Sequence, residues 1–548
     1  MLSLKSILNV VSGILFGLFV AALIWVVSRN PSGEAVTLRP VPTDQPIVVH
    51  ITGAVPRPGV YALPEGARVQ DVISAAGGFL AEANKEFINL AQVLEDGERL
   101  EIPYAEGFSP VIATPIPELI LPGSDSDLIN IETITETGAG VYVAVLDTGM
   151  VPYWSDYFPE ERVATELGIG FESPVIFKQS NEDPCGVEVQ VGHVHQTSWV
   201  GSTTSTHGTH VASTIIGYSY YSNYDALAGF ELPPIVVRGI APDVTIIPVK
   251  VLSDYTIPAL PNCEDPDVVT TPQHVNFGTW ESVAAGIDYV TDLALAGYTP
   301  IVINMSLGGG GALEPLLQEA IDRAIANGVI IVASAGNEGE YGMGYPGAYP
   351  PIISAGAVGW TGEWLYPDTQ LPRYRMWWLQ YFDAPMLPDS GEVVDPTLVE
   401  DVYLTDFSSR ALLDLGQELD VLAPGSWVRG PMPGAPGYSH LPWWSNGSGD
   451  VNGGMIGNFY YVGGTSMAAP HVTAAAAILL ERDPNLSQAE IEALFKASAL
   501  PIPSSGSQYI YDLDHYADMA WDTDCLGVVC DPVGAGLLQV DAALLLLP

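Results

Sequence analysis

Basic residues are scarce: 18 Lys and Arg stand against 64 Asp and Glu, a formal net charge of −46. A surface this acidic repels phosphate backbones, so no nucleic-acid partner is expected for the chain as a whole. It suits cationic substrates, divalent ions or a salty exterior, or serves solubility alone. Charged residues amount to only 15% while 48% are hydrophobic, which excludes the apolar-poor composition of a disordered chain. Cysteine is sparse, with Cys185, Cys263, Cys525 and Cys530. No CxxC pair or close Cys/His cluster accompanies them, which argues against zinc, and an even number fits disulfides in an oxidising compartment. The short CLGVVC loop favours Cys525 with Cys530, leaving Cys185 with Cys263. Internal repeats are absent, as are loops with EF-hand spacing and any second apolar run as long as the first.

That first run lies near the N-terminus. Residues 6 to 28 carry no charge, and Ile7 to Val27 is almost wholly apolar. As a helix it would be roughly 30 Å long, enough to cross the hydrocarbon core of a bilayer. A retained membrane anchor is expected, because the run exceeds the usual signal-peptide core and no small-x-small cleavage site follows. A cleaved signal peptide, giving a secreted protein, is the competing reading. Lys5 and Arg29 flank the span almost evenly, so charge barely decides orientation.

At 548 residues the chain is too long for one compact core, and two or more domains are expected. After the anchor (1–30), a Pro-, Ser- and Thr-bearing stretch reads as a linker (31–45). Next come a β-branched strand from Ile47 to Val55, a strand from Gly59 to Leu63 after a Pro-Gly turn signal, and a helix with Val69, Val72, Ile73 and Ala76 on one face. Gly77 and Gly78 stop that helix, and Glu98 to Tyr104 supplies a closing strand. This β-β-α-β order, with GAVPRPGVYALPEGARVQDVISAAGG and FINLAQVLEDGERLEIP, resembles the soluble-ligand-binding β-grasp domains of bacterial envelope proteins over residues 46–105. The resemblance implies a small α+β domain that binds an envelope ligand, or acts as a spacer or protein-contact module.

A second linker is expected at 106–135, where Pro, Ser, Asp and Glu return. From about Gly138 the pattern becomes α/β. Buried strands are read at GVYVAVLDTG, Ala241 to Leu252, Ile301 to Gly310 and Gly328 to Gly339. Between the last two, Pro315 to Gly328 places Leu316, Leu317, Ala320, Ile321 and Ala324 at helical spacing. Near-continuous apolar strands separated by helices imply a parallel sheet covered on both faces. Four stretches exceed ordinary connections: 171–204, 253–277, 360–404 and 428–460. Stretches this long carry function or local structure of their own. Trp377, Trp378 and Phe382 in one, and Trp443 and Trp444 in another, either pack onto the domain or frame a cleft.

Three motifs carry chemistry: Asp147 in VAVLDTG, His207 in THGTHVAS and Ser466 in GGTSMAAPHV. Only one DTG is present, where an aspartic protease would need two. A Ser hydroxyl is a poor nucleophile unless an imidazole takes its proton, and a buried carboxylate holds that imidazole in the productive tautomer. The order Asp, His, Ser together with APDVTIIPVKVL, NMSLGG, ASAGNEG, LDVLAPG and GAGLLQVDAAL resembles the subtilisin-like serine peptidases across about residues 137–546. The resemblance implies a domain at 136–548 with Asp147, His207 and Ser466 as triad and Asn337 as side-chain oxyanion donor. It also implies Ser306, Leu307 and Gly308 as the edge that pairs with an extended peptide substrate, with Gly278 on the opposite edge less securely aligned. No cofactor is implied for the chemistry, whereas structural calcium is common in the family and its ligands cannot be named. His210 and His471 are expected to pack the helices that carry His207 and Ser466, and His193 and His195 to be ordinary loop residues. Many secreted members of the family it resembles have an inhibitory propeptide directly before the catalytic domain, where this sequence instead resembles a β-grasp module.

Overall fold

In the computed structural model, most of residues 47–103 and 119–547 are described. Outside the described residues lie 1–46, 104–118, 221–234, 258–272, 366–373, 376–401, 432–442, 446–458 and several shorter breaks. The expected anchor, Cys185, Cys263, Trp377, Trp378 and Phe382 therefore fall outside them. Among the described residues no helix is long and apolar enough to cross a membrane. The chain divides into two compact units, residues 1–116 and 117–548.

The first unit follows the β-β-α-β order read from the sequence. Strands β1 (Ile47–Gly53) and β2 (Gly59–Leu63) are antiparallel, helix α1 spans Val69–Ala75, and β3 (Arg99–Ile102) returns parallel to β1. Val69, Val72, Ile73 and Ala76 are buried against Val49, Ile51 and Ile102, so the apolar stripe of the helix closes a small core of its own. The first strand is shorter than its sequence run: Val55 lies beyond the ladder, while Tyr104 falls outside the described residues.

The second unit is built on a nine-stranded sheet. In chain order its principal elements begin with β4 (Tyr142–Asp147), β5 (Ile169–Glu172), the hairpin strands β6 (Val175–Gln179) and β7 (Val187–Val191), and β8 (His195–Thr197). Helix α2 (Thr206–Ile216), β9 (Thr245–Lys250) and a second hairpin, β10 (Ser253–Ile257) with β11 (Gln273–Phe277), follow. Then come α3 (Trp280–Leu295), β12 (Ile301–Met305), α4 (Pro315–Ala326), β13 (Ile330–Ser334) and β14 (Ile353–Trp360). The remainder includes β15 (Val402–Leu404), β16 (Val421–Pro424), α5 (Thr465–Arg482) and α6 (Gln488–Ser498). The sheet runs β15-β14-β13-β12-β4-β9-β5-β8, with β16 also on β14. All its pairings are parallel except those of β15 and β8 at the margins.

Alternation along each strand explains the two-sided burial. Val143, Val145, Val302, Ile330 and Val332 point into one core with Val211 and Ile215 of α2 and Ala468 and Val472 of α5. Ala144, Leu146, Ile303, Ile331 and Ala333 point into the other with Val283 and Ile287 of α3 and Leu317 and Ile321 of α4. Each such Val, Leu or Ile side chain, fully removed from water, contributes about 1.5–3 kcal/mol. Leu316 departs from its expected place on the α4 stripe: it is 49% exposed, while its neighbours Leu317, Ala320, Ile321 and Ala324 are buried. A helical stripe is narrower than the run of apolar letters at 316–317, so only one of the two can face the sheet. Two of the over-long stretches, 171–204 and 253–277, carry the two hairpins, and Trp443–Ser445 forms a strand on Phe459–Val462.

The strand order turns back at β4. From β4 the chain fills one side through β5 and β9, then passes to β12 on the other and continues outward. Crevices at the carboxyl ends of strands beside such a reversal are where open α/β sheets hold ligands. Asp147 ends β4 and Ser306 follows β12, which puts two of the sequence-predicted site residues at that crevice.

Candidate active site

Asp147 is fully buried at the end of β4. Its carboxylate accepts from the Thr148 N–H at 2.7 Å and faces His207 Nδ1, with Oδ1 and Oδ2 at 2.8 and 2.9 Å. His207 stands in the first turn of α2, and the close approach of that turn depends on Gly208. A Cβ there would meet the Gly149 carbonyl at 2.3 Å and the Asp147 side chain at 3.1 Å. Thr148 completes the join, its Oγ1 accepting from the Gly208 N–H at 3.0 Å. Burial disfavours a charged imidazole at His207, but the charge and hydrogen bond of Asp147 prevail and raise its pKa above the ordinary 6.5. With Nδ1 donating to Asp147, neutral His207 presents a bare Nε2 as proton acceptor.

Ser466 is the second residue of α5. Its backbone N–H belongs to the first turn, which has no acceptor within the helix, so it is available for an anion. Pro470 lies four residues on inside the same helix and cannot donate to the Ser466 carbonyl. The Ser306 hydroxyl takes that place, donating to the Ser466 carbonyl at 2.6 Å. In return Ser466 Oγ donates to the Ser306 carbonyl at 3.1 Å. Among the described residues no hydrogen bond joins Ser466 Oγ to His207, so the hydroxyl rests on the residue that follows β12.

Asn337 follows β13, and its side chain is oriented by two donors. Thr465 N–H and Thr465 Oγ1 both donate to Asn337 Oδ1 at 2.9 Å. Fixing the oxygen leaves the amide Nδ2 to donate elsewhere, beside the start of α5. The Glu338 carboxylate accepts from the Asn337 N–H at 2.7 Å and from Ser409 Oγ at 3.1 Å, tying down the loop. Ser306 and Leu307 are buried and Gly308 is exposed, which gives the 306–308 segment one open side. Gly309 is anchored behind it by paired backbone hydrogen bonds with Tyr345, each 2.9 Å. The sequence motifs thus converge on one crevice. Thr148, Thr465 and Pro470 sit inside the quoted motifs, yet their roles depend on partners more than fifty residues away or on a missing donor.

Of the remaining histidines, His210 and His471 behave as expected, whereas His195 was expected in a loop and instead opens strand β8, paired with Glu172. His210 and His471 are buried, with the Val428 and Met467 carbonyls at 3.1 and 2.7 Å, and His195 is exposed at the sheet margin. For a calcium ion, the carboxylates of Glu418, Asp420 and Glu492 are the only trio close enough together among the described residues. The Lys496 ammonium already sits between them, at 2.6, 2.6 and 2.7 Å, so this trio does not fit a metal. Cys525 and Cys530 are joined in a disulfide, as their short loop suggested.

The model of the subtilase family matches residues 138–516, the span that holds Asp147, His207, Ser306, Asn337 and Ser466. The chain belongs to the subtilase family. Its members are serine endopeptidases. Subtilisin DY of Bacillus licheniformis is 29% identical over 303 residues, covering 55% of this chain and 72% of that protein. Subtilisin NAT of Bacillus subtilis subsp. natto is 26% identical over 305 residues, and there the match spans only about half of the relative, 52%. Sphericase, a solved structure, is 23% identical with a TM-score of 0.43, covering 75% of this chain and 96% of that one. Ahead of the subtilase region, the model of the SLBB domain matches residues 48–103.

Proposed function

We propose that this subtilase hydrolyses peptide bonds through an acyl-enzyme on Ser466, with Asp147 and His207 completing its triad. The observation that carries the reading is the fully buried Asp147 carboxylate bonded to His207 Nδ1 at the mouth of the crevice that also holds Ser466. An extended peptide pairs with the open side of the 306–308 segment. The Ser466 hydroxyl turns from the Ser306 carbonyl to His207 Nε2, which takes its proton as Oγ attacks the scissile carbonyl. Negative charge on the carbonyl oxygen is met by the Ser466 N–H and Asn337 Nδ2. His207 then gives its proton to the leaving amine, and water releases the acyl group by the same route in reverse. None of these steps calls for a cofactor.

The peptidase works outside the cell membrane, held there by the apolar segment from Ile7 to Val27. That placement is supported by the length of the segment and by the Cys525–Cys530 disulfide. The SLBB-like unit binds an envelope ligand or protein beside the anchor. An active-site fluorophosphonate probe tests the central claim. Labelling of the folded full chain that vanishes in Ser466→Ala supports it, whereas no labelling of folded protein overturns it in favour of a scaffold.

A further inference from the structure

The hairpin formed by β10 and β11 fills one of the over-long stretches and belongs to none of the matched motifs. Its first three residues each grip a different element. Ser253 Oγ accepts from the buried Lys250 ammonium, Asp254 reaches the start of α2, and Tyr255 donates to the Ser173 carbonyl at 2.7 Å. The segment before it is fixed to the catalytic acid. Lys250 is the register partner of Asp147, and the N–H groups of Val251 and Leu252 both donate to the Asp147 carbonyl, at 2.8 and 3.1 Å.

Asp254 connects this anchored segment to the helix of His207. A single carboxylate oxygen, Oδ2, accepts from Ser205 Oγ at 2.8 Å and from Ser202 Oγ at 2.5 Å. Ser205 is fully buried and stands at the N-cap of α2, two residues before His207. A serine in that position ordinarily turns its oxygen onto the first free N–H groups of the helix, which stabilises the helix. Here it makes no cap hydrogen bond. Its hydroxyl instead donates to Asp254 and accepts from the Ser202 N–H at 2.9 Å. A strong helix-capping residue has been diverted to an external strut.

We propose that Asp254 is a positioning residue that sets where α2 begins, and thereby holds His207 at its place between Asp147 and Ser466. The inference rests on the triad assigned above. Because the 250–254 segment is bonded to the Asp147 backbone at one end and to the His207 helix at the other, the acid and the base share one brace. Small displacements of a catalytic base cost turnover steeply while leaving substrate binding nearly intact.

Steady-state cleavage of a chromogenic peptide amide by the full chain tests this, with unfolding midpoints measured in parallel. Asp254→Ala is expected to lower kcat at least tenfold with KM within twofold of the parent. In Asp254→Asn the amide oxygen still accepts both hydroxyl protons, and kcat recovers to within threefold. Ser205→Ala lowers kcat like Asp254→Ala, and the double variant is no slower than the slower single one, because both act through one strut. A kcat for Asp254→Ala within threefold of the parent overturns the proposal, as does Asp254→Asn as slow as Asp254→Ala, or losses that multiply in the double variant. Should Asp254→Ala fail to fold, Ser205→Ala decides, and its kcat within threefold of the parent sinks the idea. A parent chain with no turnover defeats the triad reading itself, a separate outcome.

Discussion

At His207, desolvation and the Asp147 carboxylate pull the imidazole pKa in opposite directions, and the raised value has two consequences. Catalysis needs the neutral ring, so the acid limb of the pH profile of kcat/KM is expected above pH 6.5, the ordinary imidazole value. A limb at or below 6.5 contradicts the pairing. The sign for stability is the reverse. The Asp147–His207 pair contributes fully below pH 6.5, where the unfolded imidazole is also protonated, and its contribution fades as pH rises through the raised folded value. Asn337 offers a second test. With Oδ1 held by Thr465, Asn337→Ala removes a donor aimed at charge that exists only in the transition state. The expected result is a loss of roughly 100- to 1000-fold in kcat with little change in KM; a large rise in KM at unchanged kcat argues against the role. The strings that carry Asp147, His207, Ser466, Asn337 and Ser306 could be picked out because each is a local run of letters. Asp254 could not: its partners lie about fifty residues earlier, and an acidic residue in an acidic chain gives no signal of its own.

Individual elements are stabilised by charges that the sequence pattern does not reveal. On α6, Lys496 answers Glu492 one turn before it and reaches Glu418 and the buried Asp420 across the packing interface. Burial pushes the Asp420 carboxyl up to about 6 despite that ammonium, so it stays charged at neutral pH only narrowly. Lys496→Met leaves three carboxylates facing one another and is expected to cost on the order of 3 kcal/mol at pH 8, read as a lower urea midpoint. Protonation relieves that repulsion, so the gap between variant and parent should narrow from pH 8 to pH 5. A gap independent of pH means the loss is one of packing. The core strands were legible for the opposite reason. Runs such as VYVAVLD and IVINM are apolar on both faces, which only a doubly covered parallel strand requires. Their ends were read too long: the strand read as Ile301 to Gly310 stops at Met305, before the 306–308 segment proposed to pair with substrate. The hairpins of β6 with β7 and β10 with β11 escaped notice. Ile176, Val189 and Val191 are about half exposed, so burial imposes no alternation on such strands.

For the whole molecule, the decisive question is on which side of a membrane the two units stand. Residues 7 to 27 are an uncharged apolar run of spanning length, and under the proposed anchoring, with no comparable run in the rest of the sequence, the SLBB-like and subtilase units are expected on one side. Lys5 and Arg29 balance, and the proposed orientation rests on chemistry further along: a disulfide between Cys525 and Cys530 persists in an oxidising compartment. The expected behaviour is therefore a protein that sediments with membranes, resists extraction by salt and alkali, and is released by detergent. Protease added to intact cells should remove the subtilase unit while a cytoplasmic marker stays whole. Recovery of the mature chain in the medium, with a new N-terminus after residue 27, replaces the anchor by a cleaved leader but keeps the same side. A subtilase unit that survives shaving until the cells are lysed, although the purified protein is cut by the same protease, reverses the orientation and with it the extracytoplasmic role.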